Sequence, residues 1–159
     1  MAQGFINFST KHAVAGSTNL KATYDYGADG IRDIKISKDL DNGTIIGQGD
    51  LIDGQVYAMV APTAFTGKII SKAANGNFYV QVVTATNAFL VLQVPVSYYD
   101  YTHEMRAESQ FYNANGDIVR AYKLFQGDVF ELSAEGFDGT PDVGKNVSFD
   151  STTYQVEVQ

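Results

Sequence analysis

A chain of 159 residues, 45% apolar and only 18% charged, is long enough for one domain with a real core and too apolar to be disordered as a whole. Its net charge of −7 sets it against phosphate backbones and anionic lipid, so neither nucleic acid nor a membrane surface is an expected partner. The lack of cysteine rules out disulfides and thiolate metal sites and suits assembly in a reducing compartment.

Ten Tyr, ten Phe and many Val, Ile and Thr favour sheet, because branched and aromatic side chains fit a pleated, half-buried surface. Fifteen Gly with many Asn and Asp supply turns for short strands. Met1 to Ser9 carries neither the basic start nor the apolar run of a signal peptide. Residues 1–30 mix small and polar residues with isolated aromatics at Phe5, Phe8, Tyr24 and Tyr26, without a sustained period. They read as an extended arm that gains order by lying on something, with a frayed terminus or irregular first strand as the alternative. Residues 31–159 read as a single β-rich domain.

Asp41-Asn42-Gly43 signals a turn into Thr44-Ile45-Ile46, and Gly49-Asp50 and Asp53-Gly54 bracket Leu51-Ile52. Gln55 to Val60 reads as a strand, broken at Pro62 to Thr66, and Lys68 to Ser71 as another. Asn75-Gly76-Asn77 then turns the chain into a strand over Phe78 to Thr84, the clearest hairpin signal present, since Asn-Gly readily takes positive φ. Ala88 to Val96 is almost continuously apolar, as a strand buried on both faces would be, and far too short to cross a bilayer. Asp100 to Tyr112 is open between a helix capped by Thr102 and a long polar loop.

Gly116 to Ser133 reads as two strands joined by a tight Gly127-Asp128 turn, with Phe130 and Leu132 on one face and Glu131 outward. Gln48-Gly49-Asp50-Leu51 echoes Gln126-Gly127-Asp128-Val129, and each is read as a turn into a core strand. The close spacing of strands and turns predicts a mainly β fold, a compact barrel or sandwich of about eight short strands.

Residues with catalytic or ligating potential are scattered. His12 and His103 are far apart and lack the i, i+4 partner of a helical metal site. His103-Glu104 with Asp100 reads as solvated charge. Gly47-Gln48-Gly49 lacks the following glycine spacing and crossover helix of a dinucleotide loop. Glu135, Asp138 and Asp142 surround Gly139-Thr140-Pro141 without the helix-flanked loop of a calcium site, and read as a turn. No cofactor or metal is expected. Glycosylation patterns at Asn7, Asn42 and Asn146 carry no weight without a signal peptide. Tyr98-Tyr99-Asp100-Tyr101 suits either a half-buried sheet or a protein interface, because tyrosine joins a rigid apolar ring to a polar tip.

Three pieces in serial order carry a resemblance: Asn42 to Leu51, Phe111 to Tyr122, and Gly127 to Glu135, followed by the turn Gly139 to Lys145. Together they resemble the small capsid decoration (head, or cement) proteins of tailed bacteriophages. The start of the chain, with Phe8-Ser9 and His12-Ala13, is more loosely similar, and residues 55–100 lie outside the resemblance. The resemblance implies a non-enzymatic protein on the outer capsid surface of the virion, made in the host cytoplasm, whose partner is the major capsid protein. Self-association into a homo-oligomer stays open. The expected partner interface comprises Phe5, Phe8, His12, Tyr24 and Tyr26 of the arm, with Tyr98, Tyr99 and Tyr101. Two other classes stand beside it. A β-rich receptor- or carbohydrate-binding module of a virion fibre would use the tyrosines as a sugar platform, and a small β-barrel enzyme would need acids gathered in a pocket.

Overall fold

The computed structural model describes residues 5–6, 11–24, 30–52, 57–93 and 111–159. Among them the chain is mainly β. The strands are β1 (Phe5–Ile6), β2 (Ala15–Asn19), β3 (Ile31–Lys35), β4 (Ile45–Leu51), β5 (Ala58–Ala61), β6 (Ala64–Lys72) and β7 (Phe78–Thr86). They continue with β8 (Phe89–Val91), β9 (Phe111–Tyr112), β10 (Ile118–Lys123), β11 (Val129–Leu132), β12 (Phe137–Asp138), β13 (Asn146–Phe149) and β14 (Val156–Val158). A single helical turn, α1 (Lys21–Tyr24), follows β2. The strand segments exceed the roughly eight expected because several are only two or three residues long.

Five strands close a barrel in the order β10-β3-β5-β4-β8, and seven form a sheet in the order β12-β14-β13-β6-β7-β11-β2. Alternation builds both layers at once. Ile34, Ile46, Phe89, Val91, Val119 and Ala121 share one buried cluster that fills the barrel. Their neighbours Ile45 and Leu90, with Leu124, point the other way and join Phe65, Ile69, Val80, Val82, Phe130 and Leu132 of the sheet. β8 is therefore buried on both faces, as its apolar run demands.

The Asn75-Gly76 hairpin is present between β6 and β7, with Gly76 at φ 91 and the Gly76 N–H donating to the Ala73 carbonyl. Two bulges interrupt this pair, leaving Ile70 and Val83 as the unpaired residues. Both side chains follow a buried residue, Ile69 and Val82, and stand on the outward face of their strands, where they are exposed.

Three details depart from the sequence reading. The strands on either side of Gly127-Asp128 are real but do not pair, because β10 is a barrel stave and β11 belongs to the sheet. That turn carries the chain from one layer to the other. The upstream echo is no turn: Gln48-Gly49-Asp50 lies inside β4, where the pairing with β5 shifts register between Gln48 and Leu51. Glycine serves close approach here, since a Cβ on Gly47 would overlap the Ala61 carbonyl and lie 2.6 Å from that of Pro62. Finally, of the readings of residues 1–30, the extended arm gives way at Ala15–Asn19 to the alternative of an irregular first strand. β2 pairs with β11 over Ala15–Asn19, and Ala13, Leu20 and Ala22 are buried. What this part of the arm lies on is the body of its own chain.

The helix-or-loop alternative for Asp100 to Tyr112 falls outside the described residues except at Phe111–Tyr112, which form β9 and pair with β1.

Candidate functional site

A polar seam at the Leu40–Thr44 turn joins the N-terminal segment to the rest of the molecule. The Asp41 carboxylate makes two bonds with that segment. Oδ1 lies 2.7 Å from His12 Nδ1, and Oδ2 accepts the Ala13 N–H at 2.9 Å. His12 Nε2, the other ring nitrogen, is buried without a hydrogen-bond partner. The ring stacks on Tyr112 with centroids 5.1 Å apart.

The adjacent Asn42 satisfies a different set of groups. Its Oδ1 accepts from the Gln93 N–H (3.1 Å) and from Asn113 Nδ2 (3.2 Å), while its Nδ2 donates to the Gln93 carbonyl (2.9 Å). Asn113 is buried and exchanges backbone bonds with Leu40 in both directions. Amide groups paired in this way in a partly buried setting fix geometry, since each lost partner costs about 1–3 kcal/mol. One turn thus holds Gln93, Asn113 and, through Asp41, His12 and Ala13.

Two neighbouring turns share one design. In Ala114–Asp117 and in Phe125–Asp128 a glycine at φ near 90 (Gly116, Gly127) precedes a buried aspartate. In both, the aspartate N–H donates to the first residue's carbonyl and one carboxylate oxygen accepts that residue's N–H. They differ in the other oxygen. Asp128 Oδ1 receives the Lys21 N–H at 3.2 Å, whereas Asp117 Oδ1 is buried without a partner. Burial pushes the Asp117 carboxyl above its ordinary pKa, the bond from the Ala114 N–H opposes that shift, and Asp39 adds to it by repulsion.

The acids around the C-terminal turn are tied up locally. Burial raises the Glu135 carboxyl, but Lys11, whose Nζ lies 3.0 Å away, and the surrounding hydrogen bonds outweigh it and hold it low. Asp142 accepts the Val143 N–H at 2.8 Å and forms the expected turn with Lys145, whose N–H donates to the Asp142 carbonyl. The Thr152 N–H, then the Thr153 hydroxyl, lower Asp150. Among the described residues no group of three or more His, Asp or Glu side chains is placed to hold a metal ion.

Of the residues expected at a partner interface, His12 is placed in full, and its ring is engaged by Asp41 and Tyr112 of its own chain. Phe5 lies in β1 opposite Tyr112, and Tyr24 ends α1. Phe8, Tyr26, Tyr98, Tyr99 and Tyr101 fall outside the described residues, as do Asp100, His103 and Glu104. What the structure brings together are the roots of the two candidate segments. Gln93, just before residues 94–110, bonds Asn42, and His12, after the first aromatics, bonds Asp41 and stacks on Tyr112, the residue that follows Phe111. Sequence reading recognised Asp41-Asn42-Gly43 and Gly127-Asp128 as turns, and took Gly116-Asp117 as the start of a strand where the structure has a turn. It missed the carboxylates as capture points for distant backbone, because such contacts span 28 residues for Asp41 and 107 for Asp128. Comparison with protein-family models, with curated proteins and with solved structures returns no match.

Proposed function

We propose that the protein is a non-enzymatic decoration protein of a tailed-phage capsid, which binds the outer surface of the assembled major-capsid lattice and stabilises the head. The observation that carries this reading is the convergence of roots at one seam. The N-terminal segment and the 94–110 segment, separated by some eighty residues of sequence, spring from the Asp41-Asn42 turn and its partners. Two aromatic-bearing segments based at one place suit contact with a large protein surface, where Tyr anchors dominate binding. The three pieces that resemble decoration proteins support it as well, since they contribute β4, β9, β10 and β11 and the seam between them.

A binder that recognises the assembled lattice and not the free subunit shifts the assembly equilibrium by mass action. Net negative charge on the outward side keeps decorated particles apart. The test is to mix the chain with purified shells of the phage that encodes it, and separately with free capsid subunits. Sedimentation with shells alone is expected, and Tyr98→Ala/Tyr99→Ala/Tyr101→Ala should reduce it at least tenfold, as loss of about 1.4 kcal/mol or more would. A wild-type chain that stays free of shells overturns the proposal, and retention on glycan surfaces in its place would favour the fibre-module reading.

A further inference from the structure

The N-terminal segment sits on the body as a peptide sits in a receptor. Residues of the body capture its backbone at three points, where Asp41 takes the Ala13 N–H, Ser133 Oγ the Val14 N–H at 2.9 Å, and Asp128 the Lys21 N–H, and they also hold the side chains of His12 and the buried Leu20. Between these points the β11 edge pairs with Ala15, Gly16, Ser17 and Asn19, and the Ser133 N–H donates to the Val14 carbonyl. Among the described residues the segment is the outermost strand of its sheet, with no further strand paired to its far edge. Lys11, Ser17, Asn19, Lys21 and Thr23 are exposed, whereas Ala13, Leu20 and Ala22 are buried. It can leave this seat without unpicking another strand pair.

We infer that the β11 edge with Asp41, Ser133 and Asp128 is a strand-accepting site, and that its occupant in trans is residues 11–24 of a second copy of this chain. The bonds formed are identical whether the strand comes from the same chain or another, so contact energy does not choose between them. The choice falls to effective concentration, which favours the chain's own strand in dilute solution and exchange where copies are crowded. Along Ala15–Asn19, where side chains are small, the strand is held by main-chain pairing, as strand addition requires. Exchange between copies in solution does not depend on the capsid reading.

The chain has no cysteine, so an engineered pair reports on it cleanly. Gly16 and Glu131 are paired, and a Cβ on Gly16 would lie 3.8 Å from that of Glu131, the spacing of a disulfide. The double variant Gly16→Cys/Glu131→Cys should close within one chain, which checks the seat itself. Gly16→Cys and Glu131→Cys, each in the full-length chain with a different tag, are then mixed, incubated at rising concentration and oxidised. The expected product is a dimer joined by a 16–131 disulfide, identified by peptide mass, with a yield that rises with concentration. Gly16→Cys mixed with Thr140→Cys, an exposed position away from the seat, gives the level of random collision. If the double variant closes but the mixed pair does not exceed that level, exchange is overturned. Failure of the folded double variant to close, with folding checked by circular dichroism, overturns the seat.

Discussion

Two aspartates in near-identical turns make opposite contributions at the scale of single residues. Asp128 satisfies two backbone N–H groups, those of Phe125 and Lys21. Asp128→Ala strands both and should cost about 2–4 kcal/mol in denaturant unfolding. Asp117 is buried with one oxygen unpartnered, and its carboxyl is raised above 3.8 by burial and by Asp39. The folded state therefore binds its proton more tightly than the unfolded chain does. Stability should fall as pH rises from the unfolded value through the raised folded value, then level off. Asp117→Asn keeps an acceptor for the Ala114 N–H without the buried charge. Melting curves of this variant should lose that acid-range slope and lie at or above the parent at neutral pH. A variant that keeps the slope would assign it to another group.

The N-terminal segment and the β4–β5 pair show, at the scale of elements, how little sequence pattern a strand needs. β2 is Ala-Gly-Ser-Thr-Asn, and its place is set by main-chain bonds and by the fully buried Leu20 just after it. Leu20→Ala should destabilise the protein by about 2–4 kcal/mol, far more than an arm resting loosely on a surface would allow. Chemical denaturation reads this directly, and a change under about 0.5 kcal/mol, the range of ordinary surface substitutions, would place Leu20 outside the core. At the barrel, β4 passes so close to the Ala61 and Pro62 carbonyls that any side chain at position 47 must part the strands. Gly47→Ala should cost upwards of about 2 kcal/mol despite adding one methyl group, and amide exchange in β4 and β5 should accelerate with it.

For the whole molecule, the barrel keeps a buried cluster of its own, while Ile45, Leu90 and Leu124 tie it into the core of the sheet. Deleting residues 2–24 strips β2 and the buried Ala13, Leu20 and Ala22, and turns β11 into a bare edge. The truncated chain should melt at a lower temperature and self-associate, because unpaired edges template further pairing. Light scattering during a thermal ramp checks both, and an unchanged melting temperature in a monomeric product would show the segment to be dispensable. Attachment to shells by such a truncation is therefore informative only beside a measurement of its folding.

By itself the sequence determined the mainly β class, the Asn75-Gly76 hairpin, the doubly buried strand at Phe89–Val91 and the glycine turns at 43 and 127, because each rests on local chemistry: backbone angles, alternation, or a continuous apolar run. Tertiary structure alone decided that β10 and β11 go to different layers, that Gln48-Gly49-Asp50 is a bulge and no turn, and that β2 is a strand at all. It alone gathered Asp41, Asn42, Gln93 and Asn113 into one seam and gave Asp41, Ser133 and Asp128 their hold on the N-terminal segment. A turn signal states that the chain reverses, and says nothing of which strand waits on the far side. Pairing partners are chosen by burial summed over the whole core and by backbone groups that must each find a bond, and those sums run over residues far apart in the chain.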